Sequence, residues 1–182
     1  ILCQNKFNIA VLYANGIKNL SEIDRNLVNI FAENVTIALE NTTLNEQLRI
    51  SQREVIYHLS EVIENRSFET GYHIKRVAKY SELLGKLYGL SSDECEVLLL
   101  ASPLHDIGKV GIPDAILNKP GRLDADEREI MEKHAELGAN LLTGSHQNLL
   151  DAGSVIAGTH HERWDGTGYP NGLKGEIGRA VV

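Results

Sequence analysis

Adjacent pairs of side chains that bind metal ions occur twice in this chain, at His105-Asp106 and at His160-His161. The second pair follows the apolar run Val155-Ile156-Ala157 and leads into a glycine-rich segment, a setting that packing alone does not explain. Neutral imidazole is the commonest metal ligand in proteins. We therefore expect a fold that brings these two distant segments to one metal centre, as in a metal-dependent hydrolase.

Helical periodicity covers most of the sequence. From Ser21 to about Arg66, apolar residues recur every three or four positions without proline or glycine, which predicts one long helix. Four further helices are predicted: Glu69 to Tyr88, ended by Gly89; Ser91, with its capping partner Glu94, to Asp106; Asp124, with its capping partner Glu127, to about Leu142; and about Asn148 to His161. The β-branched stretch Phe7 to Tyr13 predicts a short strand. The sequence thus predicts an all-α bundle, preceded by a long linker helix and a short N-terminal strand remnant.

The long helix has the pattern of a dimerising segment. Asn34 and Asn41 interrupt its apolar seam, as polar residues do where register or oligomeric state is specified. We expect a homodimer through this helix, with an ordinary surface helix as the alternative. The predicted domains are the end of an upstream module at 1–20, a linker and dimerisation helix at 21–64, and a catalytic domain at 65–182. Because the chain begins at Ile1 rather than at Met, we expect a piece of a longer protein.

Charge and composition exclude several classes of partner. The net charge of −7 disfavours DNA and anionic membranes, which need a basic surface. No apolar run approaches the roughly 18 residues of a membrane span. Cys3 and Cys95 are far apart and form no CxxC motif, so we expect a cytoplasmic protein without a disulfide framework and Cys95 in the core.

Spacing and chemistry restrict the ligands. Glu69 and His73 are four residues apart and share a helix face, although a simple hydrogen bond would explain the pair equally. A carboxylate at Asp106 can bridge two cations, whereas His134, beside charged neighbours, would read as a surface residue if it stood alone. Several histidines with two carboxylates suit iron first and manganese second, rather than magnesium or a closed zinc site.

These motifs resemble those of the HD-GYP phosphodiesterases, a branch of the HD superfamily that hydrolyses cyclic di-GMP. The resemblance covers about Val55 to Arg179. The run from His105 to Lys109 is similar to the family motif HDxGK, the run from His160 to Gly166 is similar to HHExxDG, and Gly168-Tyr169-Pro170 is the tripeptide that names the family.

The resemblance implies a ligand set for two or three metal ions, with Asp106 as the bridge: Glu69, His73, His105, Asp106, His134, His160 and His161. It also implies an Asp ligand downstream of the tripeptide, beyond Val182, so we expect a catalytic domain that is incomplete at its C-terminus. The N-terminal stretch resembles the end of a GAF-like or sensory module of bacterial response regulators.

Hydrolysis at such a centre needs no organic cofactor, because divalent cations lower the pKa of water and bind phosphate oxygens. Asp106 and Lys109 are the predicted catalytic residues, with Lys109 also neutralising charge on the substrate; a surface lysine is the alternative. Tyr169 is expected to stack on a base or contact a partner, or to belong to a structural loop. Arg163 is expected either to contact a phosphate or to form a salt bridge with Glu162 or Asp165.

Two functions from different classes follow. The first is a phosphodiesterase that opens cyclic di-GMP to pGpG, with GMP as a further product, or that acts on 3',3'-cyclic GMP-AMP. The second is a signalling or binding module with a structural metal site, whose GYP loop recruits a diguanylate cyclase (GGDEF) partner. A third hypothesis is an HD-type nucleotide phosphohydrolase or a di-iron oxygenase, which the GYP tripeptide disfavours.

Overall fold

The computed structural model describes residues 2–4, 9–11, 21–67, 72–144 and 148–175. Within these ranges the helices are α1 (Glu22–Asn65), α2 (Tyr72–Tyr88), α3 (Ser92–Ala101), α4 (Asp114–Leu117), α5 (Ala125–Leu142) and α6 (Asn148–Thr159). Two strands, β1 (Leu2–Gln4) and β2 (Ile9–Val11), pair antiparallel. The predicted all-α class is confirmed, and β2 lies inside the predicted strand, whereas β1 was not predicted.

The chain divides into two compact units, residues 1–52 and 53–182. In the first, Ser21 caps α1 as predicted: its Oγ accepts the Asp24 backbone N–H at 3.2 Å, and Asp24 Oδ2 accepts the Ser21 N–H at 3.0 Å. The helix ends at Asn65, one residue before the predicted end.

In the second unit, α2 and α3 form a hairpin. Gly89 ends α2 as predicted, with φ of 92°, a conformation in which a glycine avoids the clash that a Cβ would make. The side of α2 that is buried carries Ile74, Ala78 and Gly85, while the larger Leu83 and Leu87 are exposed.

The predicted extension of α3 to Asp106 is wrong, because the helix ends at Ala101. Pro103 lacks the N–H that an α-helix requires, and Ser102–Leu104 forms a 3₁₀ turn instead. His105 and Asp106 therefore occupy a turn, which we call the HD turn, followed by a second 3₁₀ segment, Ile107–Gly111.

Helices α5 and α6 pack closely and supply two sides of the site. The capping box of Asp124 and Glu127 begins α5 as predicted. A Cβ at Gly138 would lie 3.1 Å from the Ala157 Cβ, so small residues permit the close approach. Helix α6 ends two residues before the predicted end, and His160 and His161 lie in the following turn. The core beneath the site contains Leu104, Leu142 and Ala157.

Among the described residues, none of the helices combines the length and apolar character that a membrane crossing requires. Cys95 is buried, as predicted for a core residue. The cytoplasmic location remains a prediction from the sequence.

Candidate metal centre

Two groups of metal-ligating side chains converge in the second unit. The first group consists of Asp106, His134, His160 and His161, and the second consists of Glu64, His73 and His105. Within each group the ligand atoms all lie within 4.8 Å of one another. The structure thus brings together six of the seven predicted ligands, from α2, the HD turn, α5 and the end of α6. The seventh, Glu69, lies outside the described residues.

Asp106 faces both groups at once. Its Oδ1 lies 3.3 Å from His134 Nε2 and 3.6 Å from His160 Nε2. Its Oδ2 lies 3.2 Å from His105 Nε2 and 2.8 Å from Lys109 Nζ. The residue is only 8% exposed. One carboxylate oxygen directed at each group is the arrangement of a carboxylate that bridges two cations.

The backbone fixes the tautomers of three histidines in the same way. The Nδ1 atoms of His105, His134 and His160 lie 3.0, 2.6 and 2.9 Å from the carbonyl oxygens of Ser102, Met131 and Ala157. A carbonyl only accepts hydrogen bonds, so in the neutral ring each Nδ1 is the protonated nitrogen that donates, and each Nε2 presents a lone pair towards Asp106. Metal-binding histidines are oriented by such a hydrogen bond.

The converging atoms repel one another unless a cation lies among them. His134 Nε2 and His160 Nε2 are 3.3 Å apart, so two lone pairs face each other beside the Asp106 carboxylate. A proton or a metal ion relieves that repulsion. The donor set of the first group, three imidazoles and one carboxylate, matches the ligands that first-row transition metals take. The residues therefore fit a metal ion.

The pKa shifts prepare three of the ligands, Asp106, His134 and His161, for metal binding at neutral pH. Burial lowers the pKa of His134, and burial together with the nearby His160 lowers the pKa of His161 to about 4. Burial by itself raises the pKa of Asp106, but the neighbouring His105, His160 and Lys109 outweigh it and hold that pKa well below its usual range. For His105, burial opposes protonation, but the Asp106 carboxylate prevails and raises the pKa. Asp106 is thus anionic, and His134 and His161 are neutral, before any metal binds.

Sequence reasoning missed Glu64. This residue lies in the last turn of α1, is 1% exposed, and its Oε1 lies 3.8 Å from His73 Nε2. A signal was present in the sequence: Glu64 directly follows Ile63 and lies eight positions after Ile56, both on the inward side of the helix. An acidic residue next to inward-facing apolar positions of a helix is a candidate for function, because a buried charge needs a partner.

The three predicted substrate contacts have different surroundings. Lys109 is largely buried, and its Nζ lies 2.8 Å from Asp106, which is not the setting of a surface lysine. Tyr169 stacks on His161, with ring centroids 4.5 Å apart and an interplanar angle of 20°, and burial raises the pKa of Tyr169 to about 12. Arg163 is exposed, and its Nε lies 3.8 Å from Asp165 Oδ1.

The GYP loop, residues 163–175, is anchored by Glu162, the residue that follows His160 and His161 in the chain. The buried Glu162 carboxylate accepts the backbone N–H groups of Asn171 and Leu173 at 2.7 and 2.8 Å. A Cβ on Gly168 would lie 2.4 Å from the Arg163 backbone nitrogen, so this glycine permits close contact between two backbone segments. Gly166, with φ of 79°, adopts a conformation that favours glycine over residues with a Cβ.

Comparison with known proteins identifies a family for most of this unit. Residues 57–177 match the family model described as HD domain, and residues 1–48 match a model described as a domain of unknown function (DUF3369). The GAF-like resemblance of the N-terminal stretch therefore stays a prediction.

Curated relatives are similar over much of the chain. A protein of Vibrio cholerae serotype O1 named 3'3'-cGAMP-specific phosphodiesterase 2 is 49% identical over 92% of this chain and 32% of its own length. The cyclic di-GMP phosphodiesterase response regulator RpfG of Xanthomonas campestris pv. campestris is 37% identical over 83% of this chain and 42% of its own length. A cyclic di-GMP phosphodiesterase of Thermotoga maritima is 47% identical over 66% of this chain and 33% of its own length. The chain thus spans less than half the length of these relatives.

Proposed function

Because the chain belongs to the HD domain family, we propose that it is a metal-dependent phosphodiesterase of cyclic dinucleotides. Its substrate would be cyclic di-GMP, opened to pGpG and then cleaved to GMP, or 3',3'-cyclic GMP-AMP. The names of the relatives support both substrates. The observation that carries the proposal is the position of Asp106, which directs one oxygen at each of two groups of histidines.

We propose two or three divalent cations, iron first and manganese second. Asp106, His134, His160 and His161 would hold one of them, and His73 and His105 would hold the next, with Asp106 between the two. Mixed imidazole and carboxylate ligands support this choice. Glu69 remains a proposed ligand that lies outside the described residues.

The chain's own residues would position the substrate. Divalent cations bound here would supply hydroxide near neutral pH and would offset charge on the phosphate. The buried ammonium of Lys109 adds a positive charge beside Asp106, where it would stabilise charge on a phosphate or on the departing sugar oxygen. Tyr169 would keep the His161 ring in its orientation by stacking on it, and its free edge would meet a base. Arg163 is exposed at the start of the GYP loop and would reach a phosphate of the substrate.

The test is a product analysis on purified protein loaded with Fe(II) or Mn(II) without oxygen. We expect linear dinucleotide from cyclic di-GMP or from 3',3'-cyclic GMP-AMP. Asp106→Asn should lower the rate on the order of 100-fold or more, as removal of a key electrostatic group does. Asp151→Asn, which changes an exposed carboxylate on α6, is the control and should leave the rate unchanged.

Two results would contradict the proposal in different ways. Nucleotide that binds without turnover would favour the binding module. Hydrolysis of nucleoside monophosphates alone would favour the HD-type phosphohydrolase.

We also propose a homodimer through α1. In the part of this helix within the first unit, exposed apolar residues follow the alternating spacing of three and four that a coiled-coil seam requires. These residues are Leu27, Ile30, Ile37, Leu44 and Leu48, with Asn34 and Asn41 at the intervening seam positions. Two asparagines in one seam support a defined register.

A diguanylate cyclase of the GGDEF class is the partner we propose for the GYP loop, where Trp164 is 74% exposed.

A further inference from the structure

Glu64 is buried at the edge of the candidate metal centre, in a position that the proposed function does not use. Its ligand atom lies within 4.8 Å of those of His73 and His105. We propose that Glu64 is a ligand of the cation bound by His73 and His105, next to the cation held by His134, His160 and His161. The proposal rests on the metal centre of the proposed function and adds Glu64 to the protein ligands of its second ion.

The chemistry of the position fits a cation. The carboxylate is 1% exposed and lies on the side of α1 that faces His73 and His105. Its Oε1 lies 3.8 Å from His73 Nε2, a separation that two ligand atoms of one ion can have. A carboxylate oxygen and two imidazole nitrogens around one point match the mixed ligands of iron and manganese sites.

His105 belongs to the same group and is oriented towards it. Its Nδ1 lies 3.0 Å from the Ser102 carbonyl, so its Nε2 is the atom left to bind a metal. The rings of His73 and His105 meet edge to face, with centroids 5.9 Å apart, and a ligand nitrogen of each lies within 4.8 Å of a Glu64 carboxylate oxygen. Asp106 Oδ2 lies 3.2 Å from His105 Nε2, so the same ion would also meet the bridging carboxylate.

The backbone around Glu64 is anchored to the segment that carries the HD turn. Arg66, two residues later, donates to the carbonyl oxygens of Lys109, Val110 and Ile112 at 3.1, 3.1 and 3.2 Å. Ser67 closes the helix end by donating both its N–H and its Oγ–H to the Glu64 carbonyl, at 2.8 and 2.9 Å. The backbone at Glu64 is thus held in place, which limits the positions that its carboxylate can reach.

The proposal is tested by counting metal ions rather than by activity. Wild-type protein and variants are loaded with Mn(II) without oxygen, desalted, and analysed for manganese per chain. We expect at least two ions in the wild type and the loss of about one in Glu64→Gln, which keeps the shape and removes the charge. Glu61→Gln is the matched control: it lies one turn earlier on α1, near Lys75, and should keep the wild-type count.

Electron paramagnetic resonance supplies a second readout. Two manganese ions that share the Asp106 carboxylate give a spin-coupled spectrum, and we expect Glu64→Gln to give the six-line spectrum of an isolated ion. His134→Ala should remove the other ion, so that the two variants together lose both. If Glu64→Gln does not fold, as judged by circular dichroism, Glu64→Asp takes its place and should weaken binding of the second ion at least tenfold.

The outcomes separate this inference from the proposed function. An unchanged count and a coupled spectrum in Glu64→Gln, or unweakened binding in Glu64→Asp, would overturn the inference and leave the phosphodiesterase proposal standing. A wild-type protein that binds no manganese or iron would overturn both. Equal loss in Glu61→Gln would also overturn the inference, because the effect would then belong to the helix end in general.

Discussion

Gly108 occupies the point where the segment after the HD turn crosses α5. A Cβ there would lie 1.9 Å from the His134 carbonyl oxygen and 2.5 Å from the Gly138 nitrogen, so two backbones touch without a side chain between them. Lys109 and Asp106 are within two residues of this contact, and His134 is part of it. A residue with no chemistry of its own therefore sets the distance between the ligands of the HD turn and the ligand of α5.

We expect Gly108→Ala to destabilise the protein and weaken metal binding together. The new methyl group meets backbone atoms that cannot rotate away, so the cost should reach about 3 kcal/mol, the upper range for an overpacked core. Gly111→Ala in the same segment meets only the flexible Leu137 side chain and is the control. Urea denaturation measures the loss of stability, and manganese titration measures the loss of metal binding. If Gly108→Ala and Gly111→Ala change both quantities equally, Gly108 does not have the role described.

His161 gives the metal-free protein a predictable response to acid. Burial and the neighbouring His160 lower its folded-state pKa from the usual 6.5 to about 4. Between these values the unfolded chain binds more protons than the folded one, so the free energy of unfolding falls as the pH falls through this window. His161→Gln removes this contribution, and its stability should depend less on pH than that of the wild type.

Urea denaturation of chelator-treated protein at about pH 7 and about pH 5 checks this prediction, because these pH values lie above and within the window. The exposed His58, changed to Gln, is the control and should keep the wild-type dependence. A His161→Gln protein that loses as much stability on acidification as the wild type would refute the assignment.

At the scale of elements, the ends of helices and the loops between them carry the site. Pro103 stops α3 early and turns His105 and Asp106 inward, and α6 stops just before His160. The GYP loop then folds back on the double histidine, with Glu162 as its internal anchor and Tyr169 covering the His161 ring. Tyr169 of the GYP tripeptide thus helps to position the proposed ligand His161, in addition to any contact that it makes with a substrate or partner.

We expect Glu162→Ala to loosen this loop while the helices stay folded. Two backbone N–H groups would lose a charged acceptor, which costs roughly 3 kcal/mol in total for hydrogen bonds of this kind. Limited proteolysis should then cut within residues 163–175 faster than in the wild type. Arg163→Ala, which removes only an exposed pair with Asp165, should change the cutting rate little. If Glu162→Ala and Arg163→Ala are cut by the protease at the same rate, Glu162 is not the anchor of the loop.

At the scale of the whole molecule, the exposed seam of α1 is the feature that a second copy would cover. In the first unit the apolar seam positions are solvent-exposed, and Ile30, Ile37 and Leu44 are among them. A polar Asn at a seam position favours a defined register at some cost in stability.

We expect Leu44→Lys to convert a dimer into a monomer. A lysine in the seam would bring two like charges together across the dimer, whereas Glu46→Lys places the same residue on the opposite side of the helix. Analytical ultracentrifugation at several protein concentrations measures the effect, and Glu46→Lys should keep the wild-type mass. A wild-type protein that is monomeric at all concentrations would refute the dimer.

The sequence by itself determined the helical class, the length of α1, and the capping boxes of α3 and α5. These features depend on local periodicity and on hydrogen bonds between neighbours in the chain, which spacing reveals. The adjacent pairs also indicated that His105, Asp106, His160 and His161 would meet, and the family resemblance added His73 and His134. Two adjacent imidazoles in an apolar setting indicated a site before any fold was known.

Only the tertiary structure decided which oxygen of Asp106 faces which histidines, that Glu64 belongs to the site, and that Gly108 and Gly168 permit backbone contact. Each of these depends on distances between segments that are far apart in sequence. Glu64 and His105 are separated by 41 positions, and no periodicity within one helix reports such a contact. The ends of α3 and α6 also shifted from their predicted places, because a proline and a tight turn, rather than apolar spacing, set where those helices stop.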